Sequence, residues 1–310
     1  MKTSDIARRR AYKILSIILL VLLALAFVFP LYWIITGAFK PAADIYAKEP
    51  VLWPSQWVGN NFKELMDKRS APLWELHVPF SQFFTADHSR IVFSTGPVLP
   101  AAFRWLINAV FMAVVAMIIT CITAAMAGYA LAKKRFRGRA IIFSLIVCAM
   151  ALPKQVILIP LLKEMNLLRY IDTLWAVIFP TVGWPFGVFL MKQFSESIPG
   201  EILEAARVDG SSELRTFTTI VFPMVKPGVG ALAIFTFINC WNDYFMQLIM
   251  LTSGSNYTMP LGVATLQAET SVNMGLLMAG AALASLPIII VFLIFQKYFT
   301  QGITMGAVKG

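Results

Sequence analysis

The residues with the clearest chemical potential lie in one apolar segment, FINCWNDYFMQ, in the last third of the chain. They are two amides, one carboxylate and two aromatic side chains: Asn239, Trp241, Asn242, Asp243 and Tyr244. Asn239 and Asp243 are four residues apart, so a helix would place them on one face. This mixture suits a sugar, because sugar hydroxyls need hydrogen-bond partners and sugar ring faces are partly apolar. The same residues could instead join neighbouring helices by hydrogen bonds inside a membrane, and both interpretations stay open.

No catalytic motif accompanies these residues. The sequence contains no G-x-x-x-x-G-K-[ST] phosphate-binding loop, no H-E-x-x-H and no C-x-x-C. Cys121, Cys148 and Cys240 lie in apolar stretches without paired spacing, and His77 and His88 are the only histidines. We therefore expect no catalytic residue, no metal site and no cofactor bound by this chain.

The elements that must position the polar segment are transmembrane helices. Apolar residues make up 58% of the 310 residues and charged residues only 14%, which is far from a soluble composition. About 20 apolar residues cross a bilayer, and six stretches approach that length: 14–39, 105–132, 140–162, 171–191, 228–251 and 275–299. The sequence predicts an all-α, multi-pass membrane protein with six transmembrane helices, the third bent where Pro153 and Pro160 fall.

Lysine and arginine set the predicted orientation. The N-terminal segment and the connection KKRFRGR between the second and third spans are strongly basic, as cytoplasmic segments are. Six spans then place both termini in the cytoplasm. The net charge of +10 follows from this topology, because the basic residues lie beside apolar runs, and we expect no nucleic-acid partner.

The spans divide the chain into predicted segments. Residues 1–13 form a cytoplasmic N-terminus, 14–39 the first transmembrane helix and 40–104 an extracytoplasmic loop. Residues 105–299 form the main transmembrane domain, with a cytoplasmic loop at 192–226, and 300–310 form a cytoplasmic tail. The outer loop is rich in Trp and Pro, so its aromatic residues could rest at the membrane interface or contact an external partner.

The loop 192–226 contains the most polar long stretch of the chain, EILEAARVDGSSELRTFTTIVFP. Pro199 and Glu201 suit the first turn of a helix, and Gly210 suits its end. Ser211 or Ser212 could then cap a second helix. The loop therefore predicts two short helices joined at a glycine.

The first of these helices indicates a docking element. Ile202, Ala205 and Ala206 recur at helical spacing and form one small apolar face, which buries too little area to fold on its own. A helix lying on the inner leaflet normally carries basic residues on its polar face, whereas this one carries glutamates such as Glu204. Docking onto a cytoplasmic protein is the favoured interpretation.

The loop resembles the EAA motif of ABC importer permeases, with Phe222 where that family usually has leucine. The motif is carried here by Glu204, Ala205, Ala206, Asp209, Gly210, Ile220 and Pro223. The stretches NAVFMAVVAMIITCITAAMAGYALAKKRFRGR, LPKQVILIPL, WNDYF and GAVKG are similar to carbohydrate permeases of the MalG type. The resemblance covers almost the whole chain, although the first outer loop is longer than in compact members, at about 67–103.

This resemblance implies a permease subunit of an ATP-driven importer in the bacterial cytoplasmic membrane. The subunit would form half of the pathway for a carbohydrate, most simply an oligosaccharide, delivered by an extracytoplasmic solute-binding protein. Its other partners would be a second homologous permease subunit, the lipid bilayer and a cytoplasmic ATPase dimer, which would hold ATP and Mg. The EAA loop would be the coupling helix that the ATPase receives.

The resemblance also implies that the loop between the fifth and sixth spans contacts the binding protein. The residues concerned are Ser253, Gly254, Ser255, Asn256 and Tyr257. The alternative function is an ion-driven secondary sugar transporter, in which Asp243 could carry a proton. That class commonly shows inverted repeats, and the two halves of this sequence do not resemble each other.

Overall fold

The computed structural model describes residues 2–77, 92–269 and 273–307. His88 and the last three residues of the predicted tail lie outside the described residues. Helices dominate, and their bounds in chain order are α1 (Lys2–Ala38), α2 (Ala42–Ile45), α3 (Asn60–Asp67), α4 (Ala101–Lys133), α5 (Arg139–Met150), α6 (Lys154–Leu167), α7 (Trp175–Val182), α8 (Phe186–Glu196), α9 (Gly200–Val208), α10 (Glu213–Thr216), α11 (Phe222–Met224), α12 (Lys226–Asn242), α13 (Tyr244–Met250), α14 (Met259–Glu269) and α15 (Met274–Ala307). A π-helical turn, Phe217–Val221, lies between α10 and α11.

The prediction of an all-α fold is wrong in the segment 40–104. Two strands, β1 (Ser70–His77) and β2 (Val92–Pro100), pair antiparallel there, with Ser70 opposite Pro100 and His77 opposite Val92. The pairing is irregular between Pro72 and Trp74, and Gly96 has a φ of +91°. Prolines and a bulge hide the alternation from which a strand is recognised in sequence.

Within the described residues, four helices are long and apolar enough to cross a membrane: Tyr12–Ala38, Ala101–Lys133, Trp175–Glu196 and Met274–Lys297. The number rises to six if each of two bent helix pairs is one span. The first pair, α5 and α6, bends by 107°, and α6 begins directly after Pro153. The predicted bend is therefore confirmed at Pro153, since a residue preceding proline is biased away from the helical region, whereas α6 continues through Pro160.

The described chain divides into two compact units, Met1–Arg69 with Thr265–Leu283, and Ser70–Ala264 with Ala284–Gly310. In the first unit, the amide of Asn61 donates hydrogen bonds to the carbonyls of Ala38 and Lys40 at 2.9 and 3.0 Å. These bonds satisfy carbonyls that the end of α1 leaves free. Lys40 is buried, donates to the carbonyl of Val51 at 2.5 Å and lies 3.9 Å from the ring centre of Trp33.

The second unit is built around α4, which packs against α8 and α12. The buried face of α4 is rich in alanine, for example Ala109, Ala113 and Ala116, all fully buried. Small residues let helix backbones approach closely, which is how helices associate where lipid removes the hydrophobic driving force. This packed bundle is the scaffold from which the loop 192–226 and the polar segment project.

Candidate functional site

The loop 192–226 contains the two predicted helices, α9 and α10. Pro199 precedes the first residue of α9, and Gly210 follows its end with a φ of +73°, a conformation that favours glycine. The hydroxyl of Ser212 accepts a hydrogen bond from the backbone N–H of Arg215 at 3.3 Å, which caps α10. The predicted helix, glycine turn and serine cap are therefore confirmed.

The inner face of α9 differs from the predicted one. Leu203 and Ala206 are its buried residues, and Leu203 belongs to a core cluster that includes Phe217. Ile202 and Ala205 are exposed. The prediction that Ile202, Ala205 and Ala206 share one face is wrong, because residues 203 and 206 form the inward stripe and leave 202 and 205 on the outer side.

The outer surface of this loop carries several of the EAA residues and two apolar side chains that the sequence interpretation missed. Glu204, Ala205 and Asp209 are exposed. Val208 is 88% exposed and Leu214 is 66% exposed, one on each side of the glycine turn. The available signal was an apolar residue on each side of the turn in an otherwise polar loop. Exposed apolar side chains among polar ones are typical of a surface that contacts another protein.

The last two motif residues lie where the loop joins α12. Ile220 is half-buried in the π-helical turn, and Pro223 is exposed in α11. The hydroxyl of Thr219 donates to the carbonyl of Arg215 at 2.6 Å, a contact that tends to bend helices. The segment Glu213–Met224 then meets Lys226–Asn242 at 77°.

Two lysines at the end of α4 tie that helix to the loop. Lys133 donates from Nζ to the carbonyls of Glu196 and Ile198 at 3.1 and 2.6 Å. Lys134 forms an ion pair with Glu213, and the hydrogen bond from Lys134 lowers the pKa of the Glu213 carboxyl. The loop 192–226 is thus connected by charge to α4, the helix around which the second unit is built.

The predicted fifth span, 228–251, is interrupted at Asp243. Its carboxylate caps α13 by accepting from the backbone N–H of Met246 at 3.4 Å. The buried amide of Gln247 donates to the carbonyl of Cys240 at 3.0 Å and accepts from the hydroxyl of Thr258. These side chains satisfy backbone groups that the interruption frees, which is the condition for a broken helix at membrane depth.

A cavity of about 340 Å³ opens beside this interruption. Four of the five predicted pathway residues line it: Asn239, Asn242, Asp243 and Tyr244. Trp241 does not, because it is 1% exposed and stacks on Phe237 with 5.6 Å between ring centres. The assignment of Trp241 to the pathway surface is therefore wrong. Residues 237 and 241 are four apart and share the core-facing side of α12.

Lys154 is the cavity residue that the sequence interpretation missed. Its Nζ lies 3.5 Å from the Asp243 carboxylate and 4.5 Å from the ring centre of Trp184. Charged groups at membrane depth normally pair with one another or face water, and this pair does both. The signal was a lysine directly after Pro153 in an apolar run.

The loop 252–258, between the predicted fifth and sixth spans, is held against the turn before α7. The carboxylate of Asp172 accepts hydrogen bonds from the backbone N–H groups of Thr252 and Ser253 at 2.9 and 2.8 Å, and from the Ser253 hydroxyl. Asn256 is buried and donates to the carbonyl of Asp172 at 2.7 Å. Burial raises the pKa of Asp172, but these hydrogen bonds outweigh it and hold the pKa below its ordinary value.

The same loop is anchored to the start of α4. The indole of Trp105 donates to the carbonyl of Gly254 at 2.7 Å, and the amide of Asn108 donates to the carbonyls of Ser255 and Tyr257 at 2.8 and 2.9 Å. The five predicted contact residues therefore form an ordered connection, and their contact with a binding protein stays a prediction.

An apolar helical bundle with a polar cavity at a broken helix and an exposed helical docking loop defines a membrane transport subunit. Residues 124–305 match the family described as "Binding-protein-dependent transport system inner membrane component". The chain belongs to this family, so it is an ABC importer permease. Membership favours the ATP-driven function over the ion-driven alternative.

Curated relatives match along nearly their full length. The Arabinooligosaccharides transport system permease protein AraQ of Bacillus subtilis is 32% identical, with 96% of each chain covered. The Diacetylchitobiose uptake system permease protein DasC of Streptomyces coelicolor is 27% identical, covering 94% of this chain and 95% of the relative. The Trehalose/maltose transport system permease protein MalG of Thermococcus litoralis is 28% identical, covering 96% and 97%.

Solved structures share the fold. A chain of a bacterial ABC transporter involved in the import of the acidic polysaccharide alginate gives a TM-score of 0.72 at 21% identity, covering 94% of this chain and 97% of that one. A chain of the MetNI methionine ABC transporter gives 0.52 at 15% identity, covering 65% and 96%. At these identities the likeness concerns the fold alone.

Proposed function

We propose that this chain is one of two homologous permease subunits in an ATP-driven importer of oligosaccharides. The observation that carries the proposal is the outer surface of the loop α9–α10, where Glu204, Ala205 and Asp209 are exposed beside the left-handed Gly210. A separate ATPase dimer binds this surface and supplies ATP and Mg, so the permease chain itself performs no hydrolysis.

The proposed topology has six spans, with α5 and α6 counted as one bent span, the fifth span at 228–251 and both termini in the cytoplasm of a bacterium. The basic connection between α4 and α5 and the docking loop then lie on the same, cytoplasmic side. The anchored loop 252–258 lies on the opposite side, where it meets a solute-binding protein. The segment 40–104 adds a further external surface.

A carbohydrate is the proposed cargo on two grounds. Relatives along the whole chain are named for arabinooligosaccharides, diacetylchitobiose and trehalose or maltose. The cavity beside Asp243 offers amides, a phenol and a matched ion pair, which together carry both donors and acceptors. Asn239, Asn242, Asp243 and Tyr244 are the proposed pathway residues.

The test is reconstitution in vesicles with the second permease subunit, the ATPase and a candidate binding protein. A loaded binding protein carrying an arabinooligosaccharide, a chitobiose derivative or a maltodextrin should stimulate ATP hydrolysis and uptake together. Uptake that proceeds without the ATPase, driven by an ion gradient, would refute the proposal.

Two alanine-to-tryptophan variants test the docking surface directly. Ala205→Trp places a bulky ring on the exposed face of α9, so the ATPase should no longer copurify. Ala43→Trp makes the same change at an exposed alanine of the short helix α2 and should leave copurification intact. Equal ATPase recovery from both variants would contradict the assignment of this face.

A further inference from the structure

The connection between α4 and α5 carries positive charge that the protein does not neutralise. Arg135 and Arg137 are exposed, and no carboxylate pairs with Arg135, Arg137 or Arg139 in the described part of the chain. The guanidinium of Arg139 donates to the carbonyls of Ala132 and Lys134 at 3.1 and 3.3 Å. Those bonds orient it at the end of α4 and leave its charge uncompensated.

A cavity of about 570 Å³ adjoins these arginines, between the start of α5 and α8. Arg139 lines it together with Phe136, Phe143 and Lys192. Lys192 is already paired with Glu196 at 2.5 Å and lies 4.1 Å from the ring centre of Phe143. Among the lining residues, Arg139 and not Lys192 therefore supplies the net charge, and the exposed Arg135 and Arg137 precede it in the same connection.

An apolar track leads away from the cavity along α5. Ile141 is 67% exposed and Leu145, one helical turn further on, is 64% exposed. The positive charge of the arginines thus lies where α5 becomes apolar. In a helix that crosses a bilayer, this position is at the depth of the lipid headgroups.

We propose that this groove binds one anionic phospholipid of the cytoplasmic leaflet, with its phosphate at Arg135, Arg137 and Arg139 and an acyl chain along Ile141 and Leu145. The site rests on the membrane orientation of the proposed function. Basic pockets on the cytoplasmic side of membrane helices recognise anionic headgroups. A lipid is the occupant that the groove favours, because a single molecule matches both the basic rim and the apolar track.

The experiment uses the assembled transporter in phosphatidylcholine vesicles that contain a photoreactive phosphatidylglycerol. Illumination should crosslink the probe to peptides from the start of α5, and a photoreactive phosphatidylcholine should label them far less. Arg139→Gln should reduce labelling, and Arg139→Lys, which keeps the charge, should retain it. Excess inorganic phosphate should not displace the probe, because the acyl chain contributes to binding.

A second variant avoids any effect on folding through the carbonyl contacts of Arg139. Arg135→Gln/Arg137→Gln should lower phosphatidylglycerol labelling by about tenfold or more, from the attraction that each surface cation contributes. Lys163→Gln, an exposed cation of α6, should leave it unchanged. Equal labelling by both photoreactive lipids, or crosslinking of an Ile141→Cys probe to the second permease subunit or the ATPase instead of lipid, would overturn the site. Labelling is measured without transport, so its failure is distinct from failure of the proposed function.

Discussion

Gly210 offers the sharpest test of the coupling loop, because its environment separates backbone strain from crowding. Its φ is +73°, and a Cβ atom added there would meet no other atom within 4 Å. The only penalty of Gly210→Ala would therefore be the free energy of holding alanine in a left-handed backbone conformation, about 1–2 kcal/mol. At 1.4 kcal/mol per factor of ten, that penalty lowers the population of the native turn about fivefold to thirtyfold.

Gly138 is a matched control for this strain. Its φ is +84°, and an added Cβ would likewise have open space around it. Gly138→Ala should therefore cost as much free energy of folding as Gly210→Ala, but at a connection that does not carry the EAA residues. Both variants should show similar thermal stability in detergent.

The assay is substrate-stimulated ATP hydrolysis and uptake by the reconstituted importer. Gly210→Ala should weaken ATPase docking about tenfold, in line with the strain at the turn. Gly210→Trp should uncouple hydrolysis from transport, because it adds bulk to the surface that the ATPase receives. Near-normal uptake and stimulated hydrolysis in Gly210→Trp, or equal losses in Gly138→Ala and Gly210→Ala, would refute the reasoning.

Three further predictions concern charged contacts. Lys134→Glu should lower the ratio of uptake to ATP hydrolysis, and the double variant Lys134→Glu/Glu213→Lys should restore it, although this surface pair stabilises the fold by at most about 1 kcal/mol. Asp172→Ala should lower the free energy of unfolding by about 2 kcal/mol, because the charge-assisted hydrogen bonds of the carboxylate are lost. Because the pKa of Asp172 is depressed in the folded protein, the stability difference between wild type and Asp172→Ala should be present in full above the ordinary carboxyl pKa of about 3.9. This difference should disappear as pH falls through the lower, folded-state pKa. Asp243→Asn should reduce sugar-stimulated hydrolysis, because it leaves the charge of Lys154 unpaired. Adding Lys154→Gln should recover expression but not stimulation. Unchanged stimulation in Asp243→Asn would exclude the ion pair from the pathway.

Local rules succeeded where one residue type decides the conformation. Gly210 ends a helix, Ser212 caps the next one and Pro153 precedes a sharp bend, and each follows from the short-range chemistry of a single residue. These signals also placed the loop that carries the family motif. The docking loop could therefore be predicted in some detail from sequence.

Contacts between distant segments could not be predicted in the same way. The partner of Asp243 is Lys154, 89 residues earlier, and the partner of Ser253 is Asp172, 81 residues earlier. Nothing in local spacing indicates which lysine or aspartate folds back onto them. The inward position of Leu203 has the same origin, since its core cluster includes Tyr129 and Met191 from α4 and α8.

The cavity beside Asp243 exists because two helix interruptions meet. Lys154 is the first residue of α6, directly after the bend from α5, and Asp243 stands at the break between α12 and α13. Each interruption frees backbone groups that would be costly in lipid, so such breaks occur where protein or water covers them. The ion pair joins the two breaks at 3.5 Å. A displacement of α12 relative to α6 must therefore change this pair and the cavity together. Because α12 is also the helix that the loop 192–226 enters, one helix connects the proposed ATPase surface to the polar residues proposed to line the sugar pathway.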